Sequence, residues 1–182
     1  MRPDGTRVRD LTAIMQALPY VMPKRYDAQN WAEEYLDEDA IRDYIRAKRR
    51  EGRTVTHMSL LVSAYYRAVL KNPKINYFVM NRRIYKRNHF CFSFVILKTR
   101  ADGTPDETSL KVYLEPEDTV FTVTEKIRST IEKNQNIQHN NDTDRFAKFV
   151  FGVPGLARAV FALAGFLDRH NLLPRSIIEL SP

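Results

Sequence analysis

Apolar residues recur with the period of an α-helix in four parts of the chain, and two of these lie in the first third. The first follows Asp10, which is expected to cap a short helix that ends near Leu18, before Pro19 interrupts the pattern. The second is DEDAIRDYIRAKRREG, residues 37–52, which has carboxylates in its first turn and basic residues in its last. This arrangement predicts a capped amphipathic helix.

Two further helices are predicted later in the chain. One begins at Thr54 or Thr56 and ends before Asn72. Its predicted apolar stripe consists of Met58, Leu61, Ala64, Tyr65, Ala68 and Val69. The other covers residues 123–133, where Thr122 and Glu125 have the spacing of a capping box. Val123, Ile127 and Ile131 then share one face of this helix, and the helix that begins at Thr54 or Thr56 is predicted to be a core helix.

Strand patterns occupy much of the middle of the chain. Residues 75–80 and 83–86 are predicted to pair across a turn at Asn81 and Arg82, and residues 90–97 follow as a run that is apolar on both faces, typical of an interior strand. The turn sequence RADGTPDET leads into a returning strand in which Leu110, Val112 and Leu114 alternate with polar or amphipathic residues. Upstream, AQNWAEEYL, residues 28–36, is interpreted as a strand with Trp31 and Tyr35 on one face.

The last part of the chain is less regular. NQNIQHNNDTD, residues 134–144, is polar and predicts a loop, and residues 145–174 are then strongly apolar. That segment is compatible with a membrane span, with two shorter helices packed on the core or on another subunit, or with a hairpin on a membrane surface. Gly152, Pro154 and Gly155 favour two helices, and Lys148 and Arg158 disfavour a span, because a charge at a bilayer centre costs roughly 2.5–3.5 kcal/mol.

Composition narrows the function classes. A chain of 182 residues with 43% hydrophobic content suits one folded domain, and the lone Cys91, within an apolar run, predicts a buried thiol in a reducing cytoplasm. Residues 1–25 lack the continuous apolar core of a secretory signal. A net charge of +7 favours an anionic partner, which leaves nucleic acid, an acidic membrane surface and a phosphorylated cofactor open.

Motifs for catalysis and metal binding are absent from the sequence. Its histidines are His57, His89, His139 and His170, and no two have the i, i+4 spacing of a helical metal site. With six glycines and no G-x-S-x-G, G-x-x-x-x-G-K or G-x-G-x-x-G pattern, a nucleotide loop or nucleophile elbow is not expected. We therefore predict no metal and no catalytic residue on this chain.

A resemblance emerges when the elements are taken in order. The block VTHMSLLVSAYYRAVLKNPKINYFVMNRRIYKRNHFCFSFVILK, residues 55–98, and AQNWAEEYLDEDAIRDYIRAKRREG, residues 28–52, resemble the catalytic domain of 2-oxoacid dehydrogenase acyltransferases and the related chloramphenicol acetyltransferases. The similarity covers about residues 20–135. It implies an α/β fold with a mixed sheet and packed helices. Residues 1–182 would be one incomplete domain of this kind, with 145–174 as an apolar helical insertion.

The resemblance also implies an activity. Such enzymes are trimers that transfer an acyl group from a coenzyme A thioester to a thiol, hydroxyl or amine, and a histidine in an H-x-x-x-D-G context deprotonates the acceptor. This sequence lacks that motif, so we expect the N-terminal part of a longer acyltransferase-like protein, or a degenerate relative. The chain alone should be inactive, and half of its sheet should lack partners. The rival hypotheses are a non-catalytic oligomerisation or membrane-surface module on the same fold and a basic nucleic-acid-binding domain.

The basic residues of the predicted hairpin complete the candidate site. A donor site lined with Arg or Lys would hold the phosphates of coenzyme A, acting as cofactor, by charge-assisted contacts. The candidates are Arg82, Arg83, Lys86 and Arg87. Two alternatives remain open: a solvated hairpin tip that discourages edge pairing, and a nucleic-acid contact in which Tyr77 and Tyr85 offer stacking surfaces.

Overall fold

The computed structural model describes residues 2–99, 103, 105–135 and 150–174, and these combine helices with β-strands. The strands are β1 (Gly5–Arg7), β2 (Tyr77–Met80), β3 (Arg83–Arg87), β4 (Phe90–Thr99) and β5 (Pro105–Leu114). The helices are α1 (Ala13–Val21), α2 (Glu38–Arg50), α3 (His57–Lys71), α4 (Val120–Gln135) and α5 (Leu156–Arg169). Short 3₁₀ turns cover Arg25–Ala28 and Pro73–Asn76.

The described strands form two small antiparallel sheets. One has the order β1-β3-β2, and the other is the β4–β5 hairpin. The predicted combination of helices and strands is confirmed, but the expected mixed sheet is not what these strands form. The physical reason is that β2 to β5 follow one another through short turns, and a short turn can join two strands only in antiparallel fashion.

The core lies between the β4–β5 hairpin and helices α3 and α4. The predicted returning strand is confirmed as β5, and its alternate residues Leu110, Val112 and Leu114 are buried. They meet Val123 and Ile127 of α4, which confirms the predicted face of that helix. The other members of this core are Val62, Tyr66, Val69 and Phe90, with Met58, Phe92, Phe94 and Ile131 partly buried around them.

Helix α3 lies where it was predicted, but its predicted apolar stripe is only partly confirmed: Val69 is buried and Met58 packs against the core. The buried positions are Ser59, Val62, Tyr66 and Val69, whereas the predicted Leu61 and Tyr65 are 56% and 54% exposed. The helix carries apolar residues around most of its circumference, so periodicity alone could not select the face. Specific contacts select it: the Thr124 hydroxyl donates to Ser59 Oγ at 2.8 Å, and the Tyr66 ring centroid lies 4.7 Å from that of Phe90.

Two of the helix starts were predicted correctly. Asp37 caps α2 by accepting from the N–H groups of Asp39 and Ala40, and Gly52 follows the helix with a φ of 75°. Thr56 caps α3 by accepting from the Ser59 N–H at 3.1 Å. These caps satisfy backbone donors that the first helical turn leaves without partners.

The boundaries of α1 and α4 differ from the prediction. Thr12, not Asp10, caps α1, and the helix continues through Pro19 to Val21. Proline removes one donor, yet the Met22 N–H still donates to the Leu18 carbonyl at 2.8 Å, so the last turn is retained. Helix α4 begins three residues before the predicted start. Thr119 and Thr122 cap it reciprocally, each hydroxyl accepting from the other's N–H.

Two strand predictions were wrong. Residues 29–37 form no strand, and Trp31 and Tyr35 are 90% and 94% exposed, because no other described strand pairs with this stretch. Strand β4 is not interior, since within the described residues it pairs with β5 alone. Val95 and Leu97 on its outer face are accordingly more than half exposed.

The described part of the C-terminal apolar segment contains a break. Residues 150–152 are helical, and Gly155, with a φ of 82°, precedes α5, in agreement with the interruption expected from the glycines and proline. Among the described residues, no helix combines the length and the apolar character needed to cross a membrane. Residues 145–149 and most of the predicted loop at 134–144 lie outside the described residues.

Candidate anion-binding cleft

The predicted turn between β2 and β3 places an arginine at the tip of the hairpin. Asn81 and Arg82 have φ values of 48° and 56°, and two consecutive residues with positive φ are typical of a type I′ turn. Asparagine tolerates this region, but an arginine there costs roughly 1–2 kcal/mol relative to its favoured conformations. A strained residue of this kind is a reason to examine the site around it.

The pairing of β1 with β3 brings a second set of arginines to the same place. Arg7 lies opposite Tyr85, and the Val8 N–H donates to the Ile84 carbonyl at 3.0 Å. The chain then continues through Arg9 toward α1, which packs beside the start of β3. Residues almost 80 positions apart in the sequence therefore share one side of the three-stranded sheet.

Together these elements enclose a cavity of about 350 Å³, which we call the arginine cleft. Its walls are residues 7–9 with Leu11, helix α1 and the tip of the β2–β3 hairpin. Tyr20 of α1 lies under the Arg82 guanidinium, 5.0 Å from ring centroid to Cζ, a cation–π contact that joins two of the walls. The basic lining residues are Arg7, Arg9, Arg82 and Arg83.

Charge in the arginine cleft is unbalanced. No carboxylate lines it, and none of its four arginines forms an ion pair within the part of the chain that the structure describes. All four side chains are exposed, so their charges are screened by salt and are available to a ligand. Guanidinium groups present planar pairs of donors that match phosphate oxygens, so the arrangement suits a phosphorylated ligand.

A smaller apolar cavity of about 270 Å³ lies beside the arginine cleft. The two share Val8, Leu11 and Ile84 in their linings. The second adds the apolar Met15 and Phe78 and two charged residues, Asp10 and Lys74. A ligand with a phosphorylated end and a less polar arm would find complementary surroundings in the two cavities.

The structure separates the four hairpin residues proposed from the sequence. Arg82 and Arg83 line the arginine cleft, whereas Lys86 and Arg87 do not. The Arg87 guanidinium lies 4.7 Å from the Phe78 ring centroid, and Lys86 sits opposite Tyr77 on β2.

Arg7 and Arg9 were not proposed as site residues. Their alternation around Val8 is a weak strand signal, and the pairing of β1 with β3, which is remote in sequence, gives them their place.

Another arginine is committed to the structure rather than to a ligand. Arg2 Nε donates to Asp4 Oδ1 at 2.7 Å, Arg2 Nη1 donates to Asp168 Oδ1 at 2.8 Å, and the guanidinium stacks 5.4 Å from the Phe78 centroid. Burial would raise the pKa of Asp4, but hydrogen bonding and charge from Arg2 outweigh it and lower that pKa. Arg2, Asp4, Phe78 and Asp168, which we call the Arg2 cluster, therefore connect the β1-β3-β2 sheet to α5.

The remaining reactive groups are dispersed. Burial raises the pKa of the Cys91 thiol, which leaves it a poor nucleophile. His89 packs against Tyr113, and His170 Nδ1 lies 2.8 Å from the Phe166 carbonyl oxygen. Across the described ranges, no group of three or more His, Cys, Asp or Glu side chains is arranged to hold a metal ion.

Comparisons with known proteins add no family. The chain matches no protein-family model, no curated protein and no solved structure. The residues and the geometry of the arginine cleft are therefore the basis for a function.

Proposed function

We propose that this chain is the donor-binding part of a coenzyme A-dependent acyltransferase of the chloramphenicol acetyltransferase-like kind. The observation that carries the proposal is the arginine cleft, in which Arg7, Arg9, Arg82 and Arg83 converge without a neutralising carboxylate. Coenzyme A presents a pyrophosphate and a 3′-phosphate at one end, which is the chemistry that such a cleft would recognise. A cytoplasmic location belongs to the proposal, since Cys91 is a free thiol.

The neighbouring groups suit the rest of that ligand. Arg82 and Tyr20 present planar faces on which an adenine ring can stack. The pantetheine arm is less polar and would extend along Val8 and Leu11 into the apolar cavity. The cleft volume of about 350 Å³ lies at the small end of the usual range for ligand pockets, roughly 300–1,000 Å³, so it would hold the phosphorylated end rather than the whole cofactor.

Acyl transfer itself requires groups that this chain does not supply. The acceptor nucleophile attacks the thioester carbonyl, a base takes its proton, and the tetrahedral intermediate collapses with release of the coenzyme A thiolate. The sequence contains no H-x-x-x-D-G motif to provide the base. In this proposal the base comes from outside the sequence, in a trimeric assembly, and the chain by itself binds the donor without turnover.

Titration calorimetry with coenzyme A tests the proposal, and the chain offers a matched pair of variants. Arg82→Gln/Arg83→Gln removes two charges from the cleft, whereas Lys86→Gln/Arg87→Gln removes two charges from the same strand outside it. Because a hydrogen bond to a charged group contributes about 1.5–3 kcal/mol, the first pair should weaken binding at least about tenfold. The second pair should change it less than about twofold, and far-UV circular dichroism checks that both remain folded.

Two results would overturn the proposal. The first is no heat above background with the unaltered chain. The second is equal weakening by both variant pairs, which would indicate diffuse attraction between a basic protein and any anion. A random oligonucleotide is the third arm: binding that is stronger than that of coenzyme A and falls steeply with salt would favour the nucleic-acid hypothesis instead.

An oligomerisation module is the second candidate, because large apolar side chains are exposed on several elements. Trp31 and Tyr35 protrude from residues 29–37, and Val95 and Leu97 face outward from β4. Sedimentation velocity should show a trimer, and Trp31→Ser/Tyr35→Ser should shift it toward monomer because these side chains would lose their contact with a neighbouring subunit. A monomer at every concentration of the unaltered chain would remove this candidate.

A further inference from the structure

Strand β4 has a free edge within the part of the chain that the structure describes. It pairs with β5 on one side, and no described strand pairs with its other side. In an antiparallel pair every second residue directs its backbone N–H and C=O groups away from the partner, so this edge presents a row of donors and acceptors. With ten residues, β4 is much longer than β1 and β2, the edge strands of the other sheet, which have three and four.

The sequence of β4 lacks the features that usually protect such an edge. Residues 90–99 contain no proline, and Lys98 is their one charged residue. Strand β5, which forms the other edge of the hairpin, begins with Pro105, Asp106 and Glu107. Proline and charge discourage pairing, so the edge of β4 is the better suited of the two to accept a further strand.

Helix α3 has one flank against the start of α4. The Thr124 hydroxyl donates to Ser59 Oγ at 2.8 Å, and the Arg67 guanidinium donates to the Asp118 carbonyl oxygen at 3.1 Å. Helix α4 also packs against β5. The α4 flank of α3 is therefore the flank on the β5 side of the hairpin.

The opposite flank of α3 is apolar and uncovered. At 3.6 residues per turn, Leu61 and Tyr65 lie on the side of the helix away from Ser59 and Arg67, and they are 56% and 54% exposed. The Tyr65 ring centroid lies 6.0 Å from that of Phe90 on β4. This flank therefore overhangs the free edge of β4, where it would cover a strand added to the hairpin.

We propose that the free edge of β4 pairs with β4 of a second copy of the chain, in antiparallel fashion about a twofold axis. A strand that lies under Leu61 and Tyr65 needs apolar side chains at every second position of the covered face and no charge at its centre. Strand β4 itself meets this requirement, because Phe92, Phe94 and Ile96 alternate along its inner face. The result is one continuous sheet in the order β5-β4-β4-β5.

The register of this pairing is favourable to a copy. A twofold axis at Phe94 or at Val95 pairs almost the whole of β4 with itself. In the first register Lys98 lies opposite Phe90 of the copy, and in the second it lies opposite Phe92, so like charges do not meet across the strands. The edge takes no part in the arginine cleft, so the inference goes beyond the proposed function and stands whether or not coenzyme A binds.

Sedimentation velocity of the full chain tests the pairing. The unaltered chain should have twice the mass of Leu61→Lys, because that variant places a charge over the added strand and should weaken pairing at least about tenfold. A threefold contact elsewhere would make these species a hexamer and a trimer, and without it they are a dimer and a monomer. Leu163→Lys is the matched control: it alters an equally exposed leucine of α5 and should change the pairing less than about twofold.

Salt distinguishes a second copy from an acidic partner. Each chain carries a net charge of +7, so two copies repel each other although the paired strands are almost uncharged. Salt screens this repulsion, so raising it from about 0.05 M to about 0.5 M should strengthen the pairing. Binding of an acidic partner would weaken over the same range.

Disulfide cross-linking reports the paired edge itself. In the register centred on Phe94, Leu97→Cys places a thiol opposite Cys91 of the copy, and in the register centred on Val95, Thr99→Cys does so. Opposite residues of antiparallel strands are about 4.5–5.5 Å apart between Cα atoms, which a disulfide can span. One of the two variants should form a covalent dimer with oxidised glutathione, and its combination with Cys91→Ser should not.

Three results would overturn the proposal. One is an unaltered chain with the same mass as Leu61→Lys at high protein and salt concentration. Another is equal weakening by Leu61→Lys and Leu163→Lys, which would indicate that added charge acts without regard to place. The third is a species of doubled mass in which neither cysteine variant cross-links, because the copies would then meet through a different surface.

Discussion

The two sheets of this molecule are both small and antiparallel, but they are stabilised differently. The β4–β5 hairpin lies against α3 and α4 through aliphatic and aromatic side chains such as Val112, Val123 and Phe90. The β1-β3-β2 sheet instead buries an ionic cluster, in which Arg2 and Asp4 lie against the stacked rings of Phe78 and Tyr85. The first sheet is stabilised by exclusion of water from apolar surface, whereas the second contains buried charges that are costly unless they remain paired.

This difference bears on the binding site that we propose. The first sheet packs its inner face against α3 and α4. In the second sheet Arg2 is buried in ion pairs with Asp4 and Asp168. The arginines around the cleft remain exposed, namely Arg7, Arg9, Arg82 and Arg83. Four variants should show how far the two sheets differ in stability, from the largest expected change to the smallest.

Phe90→Ala should have the largest effect. The Phe90 ring lies 4.7 Å from that of Tyr66 and 6.0 Å from that of Tyr65, so its loss leaves a cavity in the core. Such truncations cost about 4 kcal/mol in the free energy of unfolding, measured by urea denaturation followed by circular dichroism. Phe161→Ala, at an exposed ring, should change it by less than about 0.5 kcal/mol. Similar losses for both would contradict the placement of the core.

Arg2→Met should come next, at about 3 kcal/mol, because it leaves Asp4 buried without its partner. The side chains of Arg2 and Asp4 are almost fully enclosed, so solvent does not compensate for the lost pair. Arg2→Met/Asp4→Leu removes both charges and should recover most of the stability in the same urea experiment. A double variant no more stable than the single one would show that the loss in Arg2→Met does not come from leaving Asp4 without its partner.

The pH dependence of unfolding should trace in part to Asp118. Burial would raise the pKa of Asp118, but hydrogen bonds from Lys126, the Glu115 N–H and Thr122 outweigh it and hold that pKa below its ordinary value of 3.8. The resulting stabilisation is fully present above the ordinary value and is lost as the pH falls through the lower, folded-state pKa. Asp118→Asn should therefore cost about 1.5 kcal/mol at neutral pH and reduce the acid sensitivity of the unfolding midpoint.

Glu117→Gln is the control for that measurement, because Glu117 is exposed beside Asp118. It should leave the stability at neutral pH unchanged. An acid sensitivity that Asp118→Asn does not alter would assign the effect to other carboxylates, Asp4 among them.

Arg82→Gly should have the smallest effect on stability, and of opposite sign. Glycine adopts positive φ without the penalty that arginine incurs, so the variant should gain up to about 1 kcal/mol while its affinity for coenzyme A falls. Asn81→Gly is the matched control: it relieves less strain, because asparagine tolerates this region, and it should keep the affinity. A loss of stability in Arg82→Gly would show that its contact with Tyr20 matters more than the turn.

The sequence predicted the first sheet better than the second for a physical reason. Leu110, Val112 and Leu114 alternate so regularly that their pattern identifies a strand and its buried face together. Val123 and Ile127 do the same for α4. For α3 the pattern was insufficient, because Tyr65 and Tyr66 are equally apolar and tertiary contacts decide which is buried.

Only two of the four arginines that line the arginine cleft could be predicted from the sequence. Arg82 and Arg83 were predicted because basic residues at a turn between two apolar strands form a recognisable local pattern. Arg7 and Arg9 join them through pairing of β1 with β3, across a separation that local patterns do not encode. The strand predicted around Trp31 and Tyr35 was wrong because a strand requires a neighbouring strand. Their spacing suits a strand, but no described segment pairs with them.

The contact between Arg2 and Asp168 also has a consequence for the order of events on the ribosome. The two residues are 166 positions apart. At roughly 5–20 residues per second, about 10–30 s of translation separates them. During that interval Arg2 can pair with Asp4, and β1 can pair with β3 once β3 has been synthesised. The ion pair between Arg2 and Asp168 of α5 cannot yet form. Helix α5 therefore emerges from the ribosome after both hairpins have been synthesised. It is the last of these elements to form its contact with the rest of the chain.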